Sequence, residues 1–276
     1  MIQIDKIIEN AFQDSCTIKD LFDSANFLIE KGDSKSIHAF LEIGHLPKVN
    51  TTIYNNDKVN DWFDLLSKLI KKSNYQISNI LEQRAKRYKD KTFFQMISNE
   101  AITSISFKET WNKVQRLGSY FQSNLNKSDT VGILSPNHIN GALIDLACIA
   151  YGIRIVPIPL NLSSEHLKYV LIHADITHLF LGSDQARVLL IESKFNSNNV
   201  EIIQIDNKNE WNTFWEKCSK NKIEPPSLKK IESLTSIMYT SGTTDNPKGI
   251  QFNQINIVSK RFARALALPD FGPNDG

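Results

Sequence analysis

Between residues 130 and 240, short apolar runs alternate with segments of helical period, and few folds accommodate that alternation. Strand-like runs at 130–135, 153–158, 177–182, 200–205 and 236–240 are separated by helix-period stretches such as 138–150, 163–174 and 209–220. Strand, helix, strand repetition predicts an α/β fold: a layered, mostly parallel sheet with helices on both faces. The strands carry few alternating polar positions, as burial on both faces requires. Ligands of such sheets bind beyond the carboxyl ends of the strands. After residue 240, residues 250–252 read as a short strand, and Asn253 is placed to cap a helix bearing Ile257, Phe262 and Leu266. Upstream, 92–97 and 102–107 read as a hairpin closed by Ser98, Asn99, Glu100 and Ala101.

The first part of the chain follows another period. Residues 1–72 show no strand alternation and read as short helices at 18–30, 34–43 and 59–72, with a linker at 47–57 where turn formers cluster. The expected organisation is therefore a helical extension over 1–72 followed by the α/β domain over 73–276.

Several function classes fall away on composition. A formal net charge of +2, with lysines spread along the chain, gives no electrostatic footprint for nucleic acid. Asp5, Glu9 and Asp14 interrupt any secretory apolar segment, and the most membrane-like window, 141–160, holds Asp145, Arg154 and two prolines, so no transmembrane segment is expected. Cys16, Cys148 and Cys218 are distant from one another and odd in number, which fits a reducing compartment and a cytoplasmic location. The histidines show no H-x-x-x-H spacing, so no metal site is expected and His138, His166, His173 and His178 read as surface or turn residues.

Chemistry concentrates in one loop, from Tyr239 through Thr240, Ser241, Gly242, Thr243, Thr244, Asp245, Asn246, Pro247 and Lys248 to Gly249. Backbone N–H groups, hydroxyls and one ammonium there can converge on anionic oxygens, each charge-assisted hydrogen bond contributing roughly 1.5–3 kcal/mol. An ordinary P-loop is not expected, because Pro247 stands where its second glycine belongs and Gly249 where its Ser or Thr belongs. A nucleophile elbow around Ser241 would need glycines at the positions of Tyr239 and Thr243. Read from residues alone, the threonines serve phosphate binding or turn chemistry, and Lys248 serves a bound anion or stands solvated.

The loop resembles the signature of the acyl-adenylate-forming (AMP-binding) superfamily, which holds acyl-CoA synthetases, luciferases and peptide-synthetase adenylation domains. Every fixed position of that signature but one matches; Asp245 replaces a glycine. The segment from Ile105 to Thr110, the run from Val131 to Asn137, and the stretch from Ala147 through Gly152 and Pro157 to Ile158 resemble further family elements in the same order. The resemblance implies an acid-thiol ligase of acyl-CoA synthetase type. A carboxylic acid is activated by ATP with Mg2+ to an acyl-adenylate, then passed to a thiol, commonly that of coenzyme A. It places Thr240, Ser241, Gly242, Thr243, Thr244, Lys248 and Gly249 at the ATP phosphates and no catalytic residue within this chain. The family's later motifs have no match before Gly276, so the chain is expected to be an N-terminal piece of a longer enzyme. Two other readings stand beside it. A carrier-plus-adenylation piece of a peptide-synthetase-like assembly would use Ser34, in Glu30-Lys31-Gly32-Asp33-Ser34, as a phosphopantetheine attachment site and a carrier protein as partner; the other is a non-catalytic nucleotide-binding remnant.

Asp245 yields a first prediction. Asp245→Gly removes a carboxylate from beside a triphosphate and frees the backbone for a left-handed conformation. The ATP dissociation constant should therefore fall, and fall more at low salt than at high salt. Weaker binding by the glycine variant at both salts would make Asp245 a working part of the loop.

Overall fold

The computed structural model describes residues 4–13, 15–97, 102–227, 230–240 and 246–271. In chain order the elements are α1 (Ile4–Phe12), α2 (Ile18–Lys31), α3 (Ser34–Ile43), α4 (Pro47–Asn55), α5 (Val59–Ser73) and α6 (Ile77–Tyr88); the hairpin β1 (Thr92–Ile97) and β2 (Ile102–Ser106); then α7 (Phe107–Asn124), β3 (Thr130–Leu134), α8 (Ile139–Tyr151), β4 (Arg154–Ile158), α9 (Ser164–His173), β5 (His178–Leu181), α10 (Asp184–Glu192), β6 (Glu201–Gln204), α11 (Lys208–Lys220), β7 (Leu234–Thr240), β8 (Lys248–Asn253) and α12 (Gln254–Ala267). They form two compact units: residues 1–80 with 230–232 and 254–276, and residues 81–229 with 233–253.

The first unit is helical. Trp62 of α5 is fully buried, with its ring 5.6 Å from Phe22 of α2 and 6.0 Å from Phe40 of α3. Phe262 of α12 is equally buried, stacked at 4.1 Å on His45 and 6.3 Å from Tyr75. Gln254, at the start of α12, accepts a hydrogen bond from the Ile77 N–H at 3.2 Å. The division therefore does not fall at residue 72, because α12 buries its apolar stripe of Val258, Phe262 and Leu266 with the N-terminal helices. Residues 47–57, read as a linker, form α4 instead. Pro47 occupies the first helical turn, where its missing N–H costs nothing, and Val49 and Ile53, four apart, are both buried. The turn falls later, at Asp57, whose φ is 54°.

The second unit carries the expected layered α/β architecture. Its six-stranded sheet runs β6-β5-β3-β4-β7-β8. β3 pairs in parallel with β4 from Thr130↔Arg154 to Leu134↔Ile158, and with β5 from Val131↔His178 to Leu134↔Leu181. β6 extends the sheet beyond β5, and β7 joins β4 in parallel at Ile155↔Ser236. β8 closes the far edge antiparallel to β7, so the sheet is mostly parallel, with one reversed strand. On one face Leu134, Val156, Leu179 and Leu181 bury against Leu167, Val170 and Leu171 of α9 and Ala186 of α10. On the other, Phe180 lies 6.0 Å from Phe121 of α7 and 5.4 Å from Phe214 of α11. All five residues of β3 are buried, as a strand covered on both faces must be. Helix starts are set locally: Ser106 and Glu109 form a reciprocal capping box on α7, and Ser163, Ser183 and Asn207 cap α9, α10 and α11. Of these helices, α10 comes from a stretch whose apolar periodicity is too short to stand out in the sequence.

Close approach of α7 and α8 supplies a stability test. A Cβ on Gly118 would lie 2.1 Å from the ring of Tyr151, which is 2% exposed and held by a 2.9 Å hydrogen bond from its hydroxyl to the Glu224 carbonyl. Gly118→Ala should destabilise the protein by about 1–3 kcal/mol through overpacking. Chemical denaturation should show this loss in the wild-type background and a much smaller one in a Tyr151→Leu background, where the ring is gone.

Candidate functional site at the carboxyl edge of the sheet

All five parallel strands end on one edge of the sheet, and the signature loop leaves that edge from β7 and returns to it through β8. Thr240 is the last residue of β7 and is exposed; Lys248, exposed as well, is the first of β8 and pairs with it directly. Gly249 pairs with Tyr239 in the same ladder, and Pro247 is buried beside them. Ser241, Gly242, Thr243, Thr244 and Asp245 lie outside the described residues. Lys248 and Gly249, assigned to the loop by sequence, are strand residues, because the antiparallel ladder with β7 runs on to Thr240↔Lys248. Their side of the hairpin presents an exposed ammonium and an exposed hydroxyl at the sheet edge. Thr240 and Lys248, facing each other across one register position, fit an anionic group.

Gly249 has a packing reason. A Cβ there would sit 3.1 Å from Cγ2 of Ile237 and 3.2 Å from Cζ of Tyr239, tighter than ordinary contact. Tyr239 is 6% exposed, and its hydroxyl is 2.6 Å from Nδ1 of His173, the last residue of α9. Tyr169, one helical turn earlier, stacks on the His173 ring at 5.1 Å. Burial pushes the Tyr239 hydroxyl above its usual range, so it stays protonated as a hydrogen-bonding group at neutral pH. Sequence reading placed His173 on the surface, and it is exposed; what it missed is the partner, which lies 66 residues away. Nothing in local spacing signals such a pair.

A second group of polar residues occupies the same edge beyond β3, β5 and β6. Arg187 of α10 makes a bidentate pair with Asp206, with N–O distances of 2.8 and 3.0 Å, and also bonds Asp184. Hydrogen bonds from Arg187 hold the Asp206 carboxyl below its ordinary 3.8. His138, the N-cap of α8, accepts the Asn140 N–H on Nδ1 at 3.1 Å, and burial lowers its pKa, so the ring is neutral at pH 7. His138 also borders a cavity of about 390 Å³. Phe94 and Met96 of β1, Ile133 of β3, Ala142 of α8 and Pro157 of β4 supply its apolar wall. Ser34 is far from all of this in the chain: it is the exposed first residue of α3, a helix capped by Asp33. Among the described residues no group of three or more His, Cys, Asp or Glu could hold a metal ion. Nor is any described helix long and apolar enough to cross a membrane.

The family model of AMP-binding enzymes matches residues 81–274, a span that takes in the whole sheet, the hairpin of the loop and α12. This chain belongs to the AMP-binding enzyme family. Among similar proteins, the AMP-binding chain is 29% identical over 202 residues to the mouse (Mus musculus) long-chain-fatty-acid-CoA ligase 5, covering 63% of this chain and 29% of that protein. It is 29% identical over 178 residues to the D-alanine-D-alanyl carrier protein ligase of Listeria welshimeri, covering 64% of this chain and 32% of that one. The fold is shared with a Mycobacterium tuberculosis fatty acyl CoA synthetase at a TM-score of 0.53 and 18% identity, over 65% of this chain and 34% of that chain. The AMP-binding chain thus spans less than a third of the length of these curated relatives.

The Arg187 pair carries a pH prediction. Asp206 has a depressed folded pKa, so its contribution is complete above its ordinary value of 3.8 and disappears as pH falls through the lower folded value. Arg187→Met should lower stability by about 1 kcal/mol at pH 7, the upper range for a partly exposed bidentate pair. Denaturation at a series of pH values should show the difference from wild type constant above about pH 4 and shrinking below it. A difference that persists unchanged at pH 2 would assign the loss to packing.

Proposed function

We propose that this chain forms the ATP-phosphate-holding part of an enzyme that activates a carboxylic acid as an acyl-adenylate and transfers it to a thiol. The single observation that carries the reading is the hairpin in which Thr240 and Lys248 face each other at the carboxyl edge of the sheet, joined by the signature residues. Thr240, Ser241, Gly242, Thr243, Thr244 and Lys248 hold the β- and γ-phosphates of ATP, which arrives with Mg2+. Pro247 stiffens the return into β8, and Gly249 keeps the strand close to Tyr239. A carboxylate oxygen of the acid attacks the α-phosphorus and the bond to pyrophosphate breaks; this chain's residues contribute position and positive charge to that in-line displacement. A thiol sulfur then attacks the acyl carbon, and AMP leaves.

Neither buried cysteine is the proposed thiol. Cys148 and Cys218 are buried, their pKa values raised, that of Cys218 to about 12, so neither supplies a thiolate at neutral pH. Coenzyme A is the proposed acceptor and a fatty acid the proposed acyl class, supported by the relatives' names. A carrier protein is the second reading, favoured by the likeness to the D-alanyl carrier protein ligase; the exposed hydroxyl of Ser34 is the attachment point that reading offers within this chain. Three free cysteines fit a cytoplasmic setting. The helices before residue 73, with α12, form a helical extension to the adenylating part.

Equilibrium binding tests the core of this proposal. The purified chain should bind ATP, and Lys248→Ala should weaken binding roughly tenfold, as loss of one charge-assisted hydrogen bond predicts. Carboxylate-dependent exchange of pyrophosphate into ATP should be absent with this chain and present in a protein that adds the rest of the relatives' length. Exchange that proceeds with D-alanine and not with fatty acids would move the substrate to the second reading. Absence of ATP binding by the wild-type chain would overturn the proposal, and ATP binding without exchange in the longer protein would favour the non-catalytic nucleotide-binding remnant.

A further inference from the structure

The signature hairpin is held from below by a helix that neither its motif nor its ladder includes. β7 joins its parallel neighbour at one register position, Ile155↔Ser236, four residues before Thr240, and β8 is the edge of the sheet. The tip of the hairpin therefore depends on side chains for its placement. Tyr239 supplies the link: its ring lies where Gly249 has no Cβ, and its hydroxyl is bonded at 2.6 Å to His173 at the end of α9. Tyr169 stacks on the face of that imidazole at 5.1 Å, with ring planes 21° apart. α9 itself is anchored by Leu167, Val170 and Leu171, all buried in the core on that face of the sheet.

We infer that Tyr169, His173 and Tyr239 form a positioning clamp that fixes the Thr240–Lys248 pair against α9. The inference rests on the phosphate-holding function proposed above. The clamp acts by positioning. Its effect is to order two residues before ATP arrives, so that their ordering is not charged against the binding free energy. The two described rings against His173 are phenols, and the bond needs only one proton between hydroxyl and imidazole, so a side chain with an amide at position 173 can replace it.

Tyr239→Phe removes the hydroxyl and keeps the ring. With this variant and with His173→Ala, ATP and pyrophosphate should bind about three- to tenfold more weakly, whereas AMP, which lacks the phosphates the loop holds, should bind as in the wild type. The double variant should be no worse than His173→Ala alone, because both substitutions break the same hydrogen bond, and His173→Gln should recover most of the loss. Hydrogen exchange of peptides from 234–253 gives a readout independent of nucleotide: exchange near Tyr239 and Gly249 should rise in both variants and stay unchanged in β3 and β5. Equal losses for ATP and AMP, or additive losses in the double variant, would overturn the clamp, as would unchanged exchange in the hairpin. If the wild-type chain binds no ATP, the phosphate-holding function fails, and the exchange experiment still decides whether the hairpin is clamped.

Discussion

The parallel register of β3 with both of its neighbours governs the rest of the second unit. Thr130 through Leu134 pair with β4 on one side, and Val131 through Leu134 with β5 on the other, so the central strand is covered in every direction. A parallel strand needs a crossover to its neighbour, and the crossovers here are α8, α9, α10 and α11. Those helices must lie on the two faces, which in turn buries the apolar side chains of β3, β4 and β5. Every strand of the parallel set ends on the same edge as a consequence. That edge is where the chemistry-bearing residues Thr240 and Lys248, together with His138, Arg187 and Asp206, are found.

Two kinds of order meet at that edge. Arg187 with Asp184 and Asp206 is an electrostatic arrangement, built from residues that follow β5 and β6, and it is satisfied within the protein. Lys248 stands differently: it is exposed at the start of an edge strand, opposite a threonine, where a ligand's anionic oxygens can reach it. The contrast separates a cation spent on stability from one available for binding. A guanidinium fork held by two carboxylates offers little to a phosphate, whereas an exposed ammonium opposite a hydroxyl can pair with one.

Packing explains the glycines that matter better than any motif does. Gly118 exists because Tyr151 crosses it, and Gly249 because the Tyr239 ring lies beside it. In the helical unit the same logic operates with large side chains: Trp62 gathers α2, α3 and α5, and Phe262 brings α12 in with His45 and Tyr75. Pro47 shows how a local breaker becomes a helix start once buried Val49 and Ile53 repay the turn.

Local order was largely legible in the sequence. The alternation of apolar runs and helix-period segments determined the α/β class and the strands β3 to β7, since burial on both faces demands continuous apolar residues. The signature from Tyr239 to Gly249 pointed to the family, and its hydroxyls, glycines and one lysine are groups that suit phosphate. Periodicity failed where its signal is weak: the turn-rich residues of α4 and the nine-residue α10. Tertiary structure alone decided that α12 joins the N-terminal helices, that Lys248 and Gly249 extend a strand, and that His173 meets Tyr239. Those outcomes depend on contacts between residues tens of positions apart, and a linear pattern carries the period of an element but not the identity of what it will touch.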